Sequence, residues 1–233
     1  MYPNTGVAAV DLRAFPQCGG VFDIVYNPAR TALLMQAEQL GIPRAGGLSM
    51  LVAQAKRSAE LFTGTEIADG RVAEIERAVR ARLENIVIIG MPGSGKSSVA
   101  RRLGERLGRE VVECDAYIEE KAGKRIPAIF AESGETEFRR LETEALRELG
   151  KRSGIILSTG GGCVTRSENY PLLHQNGTIF WLLRSPWKLP SEGRPLSQAE
   201  RAEAMYARRE PMYRRFADVK IDNEDTIEHA VEA

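Results

Sequence analysis

Cysteine is scarce in this chain, and what there is forms no pattern. The 233 residues include three, Cys18, Cys114 and Cys163. An odd number at such wide spacing builds no disulfide framework, and no C-x-x-C pair or Cys/His cluster suggests zinc. The expectation that follows is a reducing, cytoplasmic setting. Net charge is lacking too, since 32 Lys and Arg balance 32 Asp and Glu. A generic polyanion binder would be basic, so nucleic acid is not an expected partner. Long apolar runs are also missing. Those present are strand-sized, such as Ile86-Val87-Ile88-Ile89, far short of the ~20 residues that a membrane span needs, and no membrane partner is expected. Met1-Tyr2-Pro3-Asn4 does not read as a signal peptide, having no basic stretch followed by an apolar run. There is no internal repeat and no low-complexity tract.

What is present is an ordinary globular composition, 43 % hydrophobic and 27 % charged, which excludes a disordered chain. The length suits one domain of roughly 150 residues with a surplus piece. The sequence changes character between residues 64 and 85. Residues 1–64 are rich in Gly, Pro and Ala and lightly charged. Residues 65–84 read as a helical linker, with Ile67, Val72, Ile75, Val79 and Leu83 near helical spacing among charged residues. Residues 85–233 alternate between strand-sized apolar runs and amphipathic helices. Strands are expected at 86–89, 111–112, 155–157, 178–183 and 219–221, and helices at 97–107, 135–149, 198–209 and 226–231. Strands alternating with helices predict an α/β domain on a five-stranded parallel sheet.

The sharpest motif is Gly90-Met91-Pro92-Gly93-Ser94-Gly95-Lys96-Ser97, which fits G-x-x-x-x-G-K-[ST]. Such a loop wraps phosphates in backbone N–H groups at the start of a helix. Its lysine reaches the β- and γ-phosphates and its Ser/Thr hydroxyl binds Mg²⁺. Gly90, Pro92, Gly93, Ser94, Gly95, Lys96, Ser97 and Ser98 are therefore the candidate ATP-binding residues, with Ser97 a candidate Mg²⁺ ligand. A glycine-rich turn with an incidental lysine is the competing reading; the apolar strand before the motif and the helix after it count against that. The acceptor must be read elsewhere. Glu113-Cys114-Asp115 closes the second predicted strand, at the ligand crevice of such sheets. One acid can help hold Mg²⁺, Glu113 through water, and the other can take a hydroxyl proton. Asp115 suits a helix N-cap equally well.

Beyond the loop, five further stretches form an ordered set: Asp115-Ala116-Tyr117-Ile118-Glu119; Gly134-Glu135-x-x-Phe138-Arg139-Arg140-x-Glu142; Gly160-Gly161-Gly162; Gly193-Arg194-Pro195-Leu196; and Arg209-Glu210-Pro211-Met212-Tyr213. Together with the phosphate loop they make residues 85–233 resemble shikimate kinase. That resemblance implies a P-loop kinase of the nucleoside monophosphate kinase type, moving the ATP γ-phosphate to the 3-hydroxyl of shikimate in aromatic amino acid synthesis. It implies catalytic roles for Lys96, Asp115 and Arg194, with Arg194 also on the ATP phosphates. Asp115, Arg139, Glu142, Gly160, Gly161, Gly162 and Arg209 would form the shikimate site. Arg139 and Arg209 would take the carboxylate, for which arginine forks are suited. Glu113 stands where the family usually has aspartate. The competing readings are another small-molecule kinase of gluconate type and a non-catalytic nucleotide-binding remnant.

The surplus has its own resemblance. Val21-Phe22-Asp23-Ile24-Val25-Tyr26-Asn27-Pro28 and Gly46-Gly47-Leu48-x-Met50-Leu51-x-x-Gln54-Ala55 resemble the C-terminal end of shikimate dehydrogenase. By that resemblance Tyr26 and Gln54 match substrate-side residues and Met50 lies near the nicotinamide. The dehydrogenase's catalytic region and glycine-rich dinucleotide turn have no counterpart, so no dehydrogenase activity is expected. A small, mostly helical appendage is expected, either the tail of a natural dehydrogenase–kinase fusion or a docking segment. It should be loosely ordered or expose apolar residues such as Val25, Leu33 and Leu51.

Overall fold

A computed structural model describes residues 5–185 and 202–233. Arg194, Pro195 and Leu196 lie outside the described residues, as does the start of the helix expected at 198–209. The chain forms two compact units that meet in sequence between Glu84 and Asn85.

In the first unit, β1 (Val21–Phe22) pairs in parallel with β2 (Arg44–Ala45). Helices α1 (Ala32–Gln39), α2 (Leu48–Thr63) and α3 (Gly70–Leu83) complete it. Thr31 caps α1, accepting from Leu34 N–H and donating its hydroxyl to Asp23 at 2.7 Å. Helix α3 covers most of the expected linker; it buries none of its residues and is tied to α2 by Ser49 Oγ donating to Glu76 at 2.5 Å. The unit has defined elements but a thin core. Leu34, Met35, Ala37 and Val52 are buried, while Phe22, Ile24 and Phe62 are 60 %, 64 % and 89 % exposed. Val25 and Leu33 are half-buried and Leu51 is exposed.

The second unit is built on a parallel sheet of five strands: β3 (Asn85–Ile89), β4 (Val111–Glu113), β5 (Ile156–Ser158), β6 (Gly177–Leu183) and β7 (Val219–Asp222). Their spatial order is β4-β5-β3-β6-β7, so the first strand in sequence is the central one. Side chains alternate across a strand, and β3 shows it. Val87 and Ile89 face a large core with α5 (Cys114–Ala122), α6 (Ile126–Leu149), α7 (Asn169–His174) and α8 (Ala202–Phe216). Ile88 faces a smaller one with α4 (Lys96–Leu107) and α9 (Ile227–Glu232).

Two expectations need correction. Helix 135–149 is the second half of α6, which begins at Ile126 and turns sharply at Gly134, where φ is +75°. Asp115 is not an N-cap: it lies in the first turn of α5, and Glu113 occupies the cap position without a side-chain capping bond.

Candidate active site

The carboxyl ends of β3, β4 and β5 converge on one crevice. From β3 the chain enters the glycine loop 90–95 and then α4. Lys96, buried despite its charge, donates from Nζ to the carbonyls of Gly90 and Met91 at 3.0 and 2.9 Å. A lysine held inside such a loop stands where phosphate oxygens would replace those carbonyls. Ser97 Oγ donates to Glu113 Oε2 at 3.0 Å, so the two residues expected near Mg²⁺ share one place. Among the described residues no group of three or more His, Cys, Asp or Glu could hold a metal by itself. Mg²⁺ fits the pair nonetheless, because it binds through one or two protein oxygens, waters and substrate phosphates.

Beside the loop, Asp115, Arg139, Glu142, Arg209 and the triplet 160–162 come together. Arg139 and Glu142 are one turn apart on α6 and both buried, with Nη1 to Oε2 at 2.7 Å. Glu135 supports Arg139 from the preceding turn at 3.1 Å. The remaining Glu142 oxygen, Oε1, is buried without a hydrogen-bond partner. A Cβ on Gly160 would stand 2.7 Å from Glu142 Oε1 and 2.9 Å from Asp115 Oδ1, so both carboxyls crowd that glycine. A Cβ on Gly162 would fall 2.1 Å from Arg139 Nη2, and one on Gly161 would meet Pro92 Cδ at 2.6 Å. The triplet is thus wedged between the arginine on one side and the phosphate loop on the other, a close approach that side chains would forbid.

The electrostatics follow from this crowding. Burial pushes the Glu142 carboxyl up to about 7; Arg139 and Arg209 pull it down, and Asp115 adds to the rise. Asp115 is reached by water, but the protein around its carboxyl still raises it. Burial is the largest cause, countered by Lys96 and Arg139 and reinforced by Glu113. A carboxylate with a raised affinity for protons, beside a phosphate loop, is suited to accept a hydroxyl proton. Arg209 is 2 % exposed, and its Nη1 reaches the Gly161 carbonyl at 3.4 Å. The Phe130 and Phe138 rings meet at a tilt of 34° with centroids 4.7 Å apart, and the Arg139 guanidinium lies 5.1 Å over the Phe138 ring.

Three residues at this crevice were not among the sequence candidates. Asn223, after β7, donates from Nδ2 to the Ser94 carbonyl at 2.7 Å and so latches the loop. Arg184, after β6, brings Nη1 to 3.9 Å from where a Gly95 Cβ would stand. Tyr213 donates its hydroxyl to the Gly161 carbonyl at 2.5 Å. Tyr213 lies in a quoted motif and could have been found there; Asn223 sits in a stretch with no local signal.

The family model described as shikimate kinase matches residues 92–233. The shikimate kinase of Burkholderia lata is 40 % identical over 147 residues, which is 59 % of this chain and 80 % of that protein. That of Prochlorococcus marinus is 42 % identical over 139 residues, covering 55 % and 72 %. Among solved structures, shikimate kinase from Acinetobacter baumannii in complex with shikimate aligns with a TM-score of 0.58 at 32 % identity, over 66 % of this chain and 90 % of that one. Shikimate kinase from Aquifex aeolicus aligns at 0.56 and 30 %, over 64 % and 91 %.

Proposed function

The chain belongs to the shikimate kinase family, and from that premise we propose that it phosphorylates the 3-hydroxyl of shikimate with ATP, in the pathway to the aromatic amino acids. The observation that carries the reading is the packing of Gly161 against Pro92. It sets the acceptor pocket, with its buried arginines, directly beside the phosphate loop. Gluconate carries a carboxylate too, so the arginines alone do not separate the two acceptors; the match of residues 92–233 to the shikimate kinase model makes the gluconate-type reading the weaker.

In the proposed reaction Arg139 and Arg209 hold the shikimate carboxylate. Charge-assisted forks of this kind fix orientation as well as affinity. Glu142 keeps Arg139 aimed, and Gly160, Gly161 and Gly162 let the substrate ring lie against the backbone. Asp115 accepts the proton of the attacking hydroxyl. The shikimate 3-oxygen bonds to the γ-phosphorus, the bond from that phosphorus to the β,γ-bridging oxygen breaks, and ADP leaves. Lys96, with the loop 90–95, Ser97 and Ser98, holds the phosphates, and Arg194 offsets charge spreading over the transferring group. Ser97 would hold Mg²⁺, with Glu113 bound to it through water. Once there the ion neutralises phosphate charge.

For the surplus we propose domain limits of 1–64 and 65–84 ahead of a kinase domain at 85–233, with the first segment a dehydrogenase-like tail that lacks dehydrogenase activity. Its natural partner would be the remaining dehydrogenase portion of a fusion. We place the reaction in the cytoplasm; separately, no helix among the described residues is long and apolar enough to cross a membrane. A coupled ATP-consumption assay tests the main reading, run with shikimate, with gluconate and with no acceptor. Shikimate-dependent turnover is expected; turnover with gluconate alone, or none by folded protein, overturns it.

A further inference from the structure

Tyr213 has no part in the roles assigned above, yet it is held on both its ring and its hydroxyl. It is fully buried, and its ring stacks on Trp181 with centroids 5.7 Å apart and planes 21° apart. Its hydroxyl donates to the Gly161 carbonyl at 2.5 Å. Arg209, one turn earlier on α8, reaches the same oxygen from Nη1 at the longer 3.4 Å. That Nη1 also faces Met205 Sδ at 3.1 Å, and Arg209 Nε is buried with no partner. One carbonyl therefore has two donors, a short neutral one and a long charged one.

We propose that Tyr213 is a positioning residue for the acceptor. By satisfying the Gly161 carbonyl it leaves the Arg209 guanidinium available to the substrate carboxylate. The inference rests on reading Arg209 and Gly161 as acceptor-side groups. A buried carbonyl must find a donor, and without the phenol the nearest is Arg209. The guanidinium would then be drawn onto the backbone, where it would compete with the incoming carboxylate. The phenol sets a second geometry as well. In a trans peptide the N–H points opposite to the C=O, so anchoring the Gly161 carbonyl also fixes the direction of the Gly162 N–H, beside Arg139. The stacked indole keeps the hydroxyl from swinging away.

The test is Tyr213→Phe in the full chain, which removes one oxygen and keeps the ring. Wild-type turnover of shikimate is measured first; its absence overturns the underlying reading and not this inference alone. Given turnover, the variant should raise KM for shikimate roughly tenfold, the scale of one charge-assisted contact, and leave KM for ATP within about twofold. With the carboxamide of shikimate, which offers Arg209 no carboxylate, the penalty should shrink to near nothing. A folded variant with unchanged KM for shikimate overturns the proposal. So does an equal rise for both substrates, or an undiminished penalty with the carboxamide. If Tyr213→Phe fails to fold, Trp181→Phe keeps the hydroxyl but thins its support and should raise KM for shikimate in the same direction. No change there is equally decisive against it.

Discussion

Asp115 and Arg139 should fail in different ways when substituted. Asp115→Asn keeps shape and loses the proposed proton acceptor, so kcat should fall by roughly 10²–10⁴-fold with nucleotide binding intact, as read by ADP titration. Arg139→Ala should raise KM for shikimate and also unfold more easily. It leaves Glu142, which is 0 % exposed, without its ion-pair partner, a loss on the order of 3–5 kcal/mol measurable by urea titration. Glu142 adds a pH signature. Its carboxyl titrates at about 7 in the folded chain against a reference of 4.5, with Arg139, Arg209 and Asp115 facing it. Between those values the native state holds a proton that the unfolded chain has released, so stability falls as pH rises through the window. Over that range the loss should reach at most about 3 kcal/mol. Glu142→Gln should flatten the slope in denaturation curves taken from pH 5 to pH 8, and an unchanged slope would refute the assignment.

At the scale of elements, Gly134 carries the clearest prediction. Its φ of +75° joins the two halves of α6, and nothing lies within 4 Å of where a Cβ would stand. Gly134→Ala therefore meets no clash, but it must hold φ +75° with ψ 179°, a backbone region essentially confined to glycine, and should cost on the order of 1–3 kcal/mol in thermal or urea melts, with KM for shikimate rising because Arg139 lies five residues on. The three inner strands β3, β5 and β6 were legible because each is a run such as Ile86–Ile89, apolar on both faces as a sheet covered on both sides demands; the edge strands β4 and β7 are shorter and show only a brief apolar signal. The second half of α6 was legible for the same reason, with Phe138, Ala145, Leu146 and Leu149 on one stripe. Its first half and α5 were not: Pro127 at the start and Gly134 at the end leave only a short stretch between them, and α5 follows β4 with no capping side chain. The P-loop could be read because its chemistry is local. Asn223, joined to Ser94 across 129 positions, has no local trace at all.

At the scale of the whole molecule, the two units differ in how much they bury. The first exposes Phe22, Ile24, Leu61 and Phe62, while the second encloses two cores about its sheet. Limited digestion with chymotrypsin should cut first at Phe22, Phe62 or nearby, and shikimate-dependent ATP consumption should survive those first cuts. Loss of activity in step with them would show that the units depend on each other.

The strand order has a consequence for the chain as it is made. β3 is synthesised first yet sits at the centre, between β5 and β6. One neighbour comes some 70 residues later and the other about 90, as the pairings Ile86 with Ile156 and Ile86 with Thr178 show. Until then a nascent chain carries Ile86-Val87-Ile88-Ile89 with both edges open, the kind of apolar, β-prone segment that associates with copies of itself. The ribosome thus releases an adhesive strand of this sheet long before the strands that shelter it. Yield in a cell should then depend on how fast residues 90–183 follow, and on what holds β3 apart in the meantime.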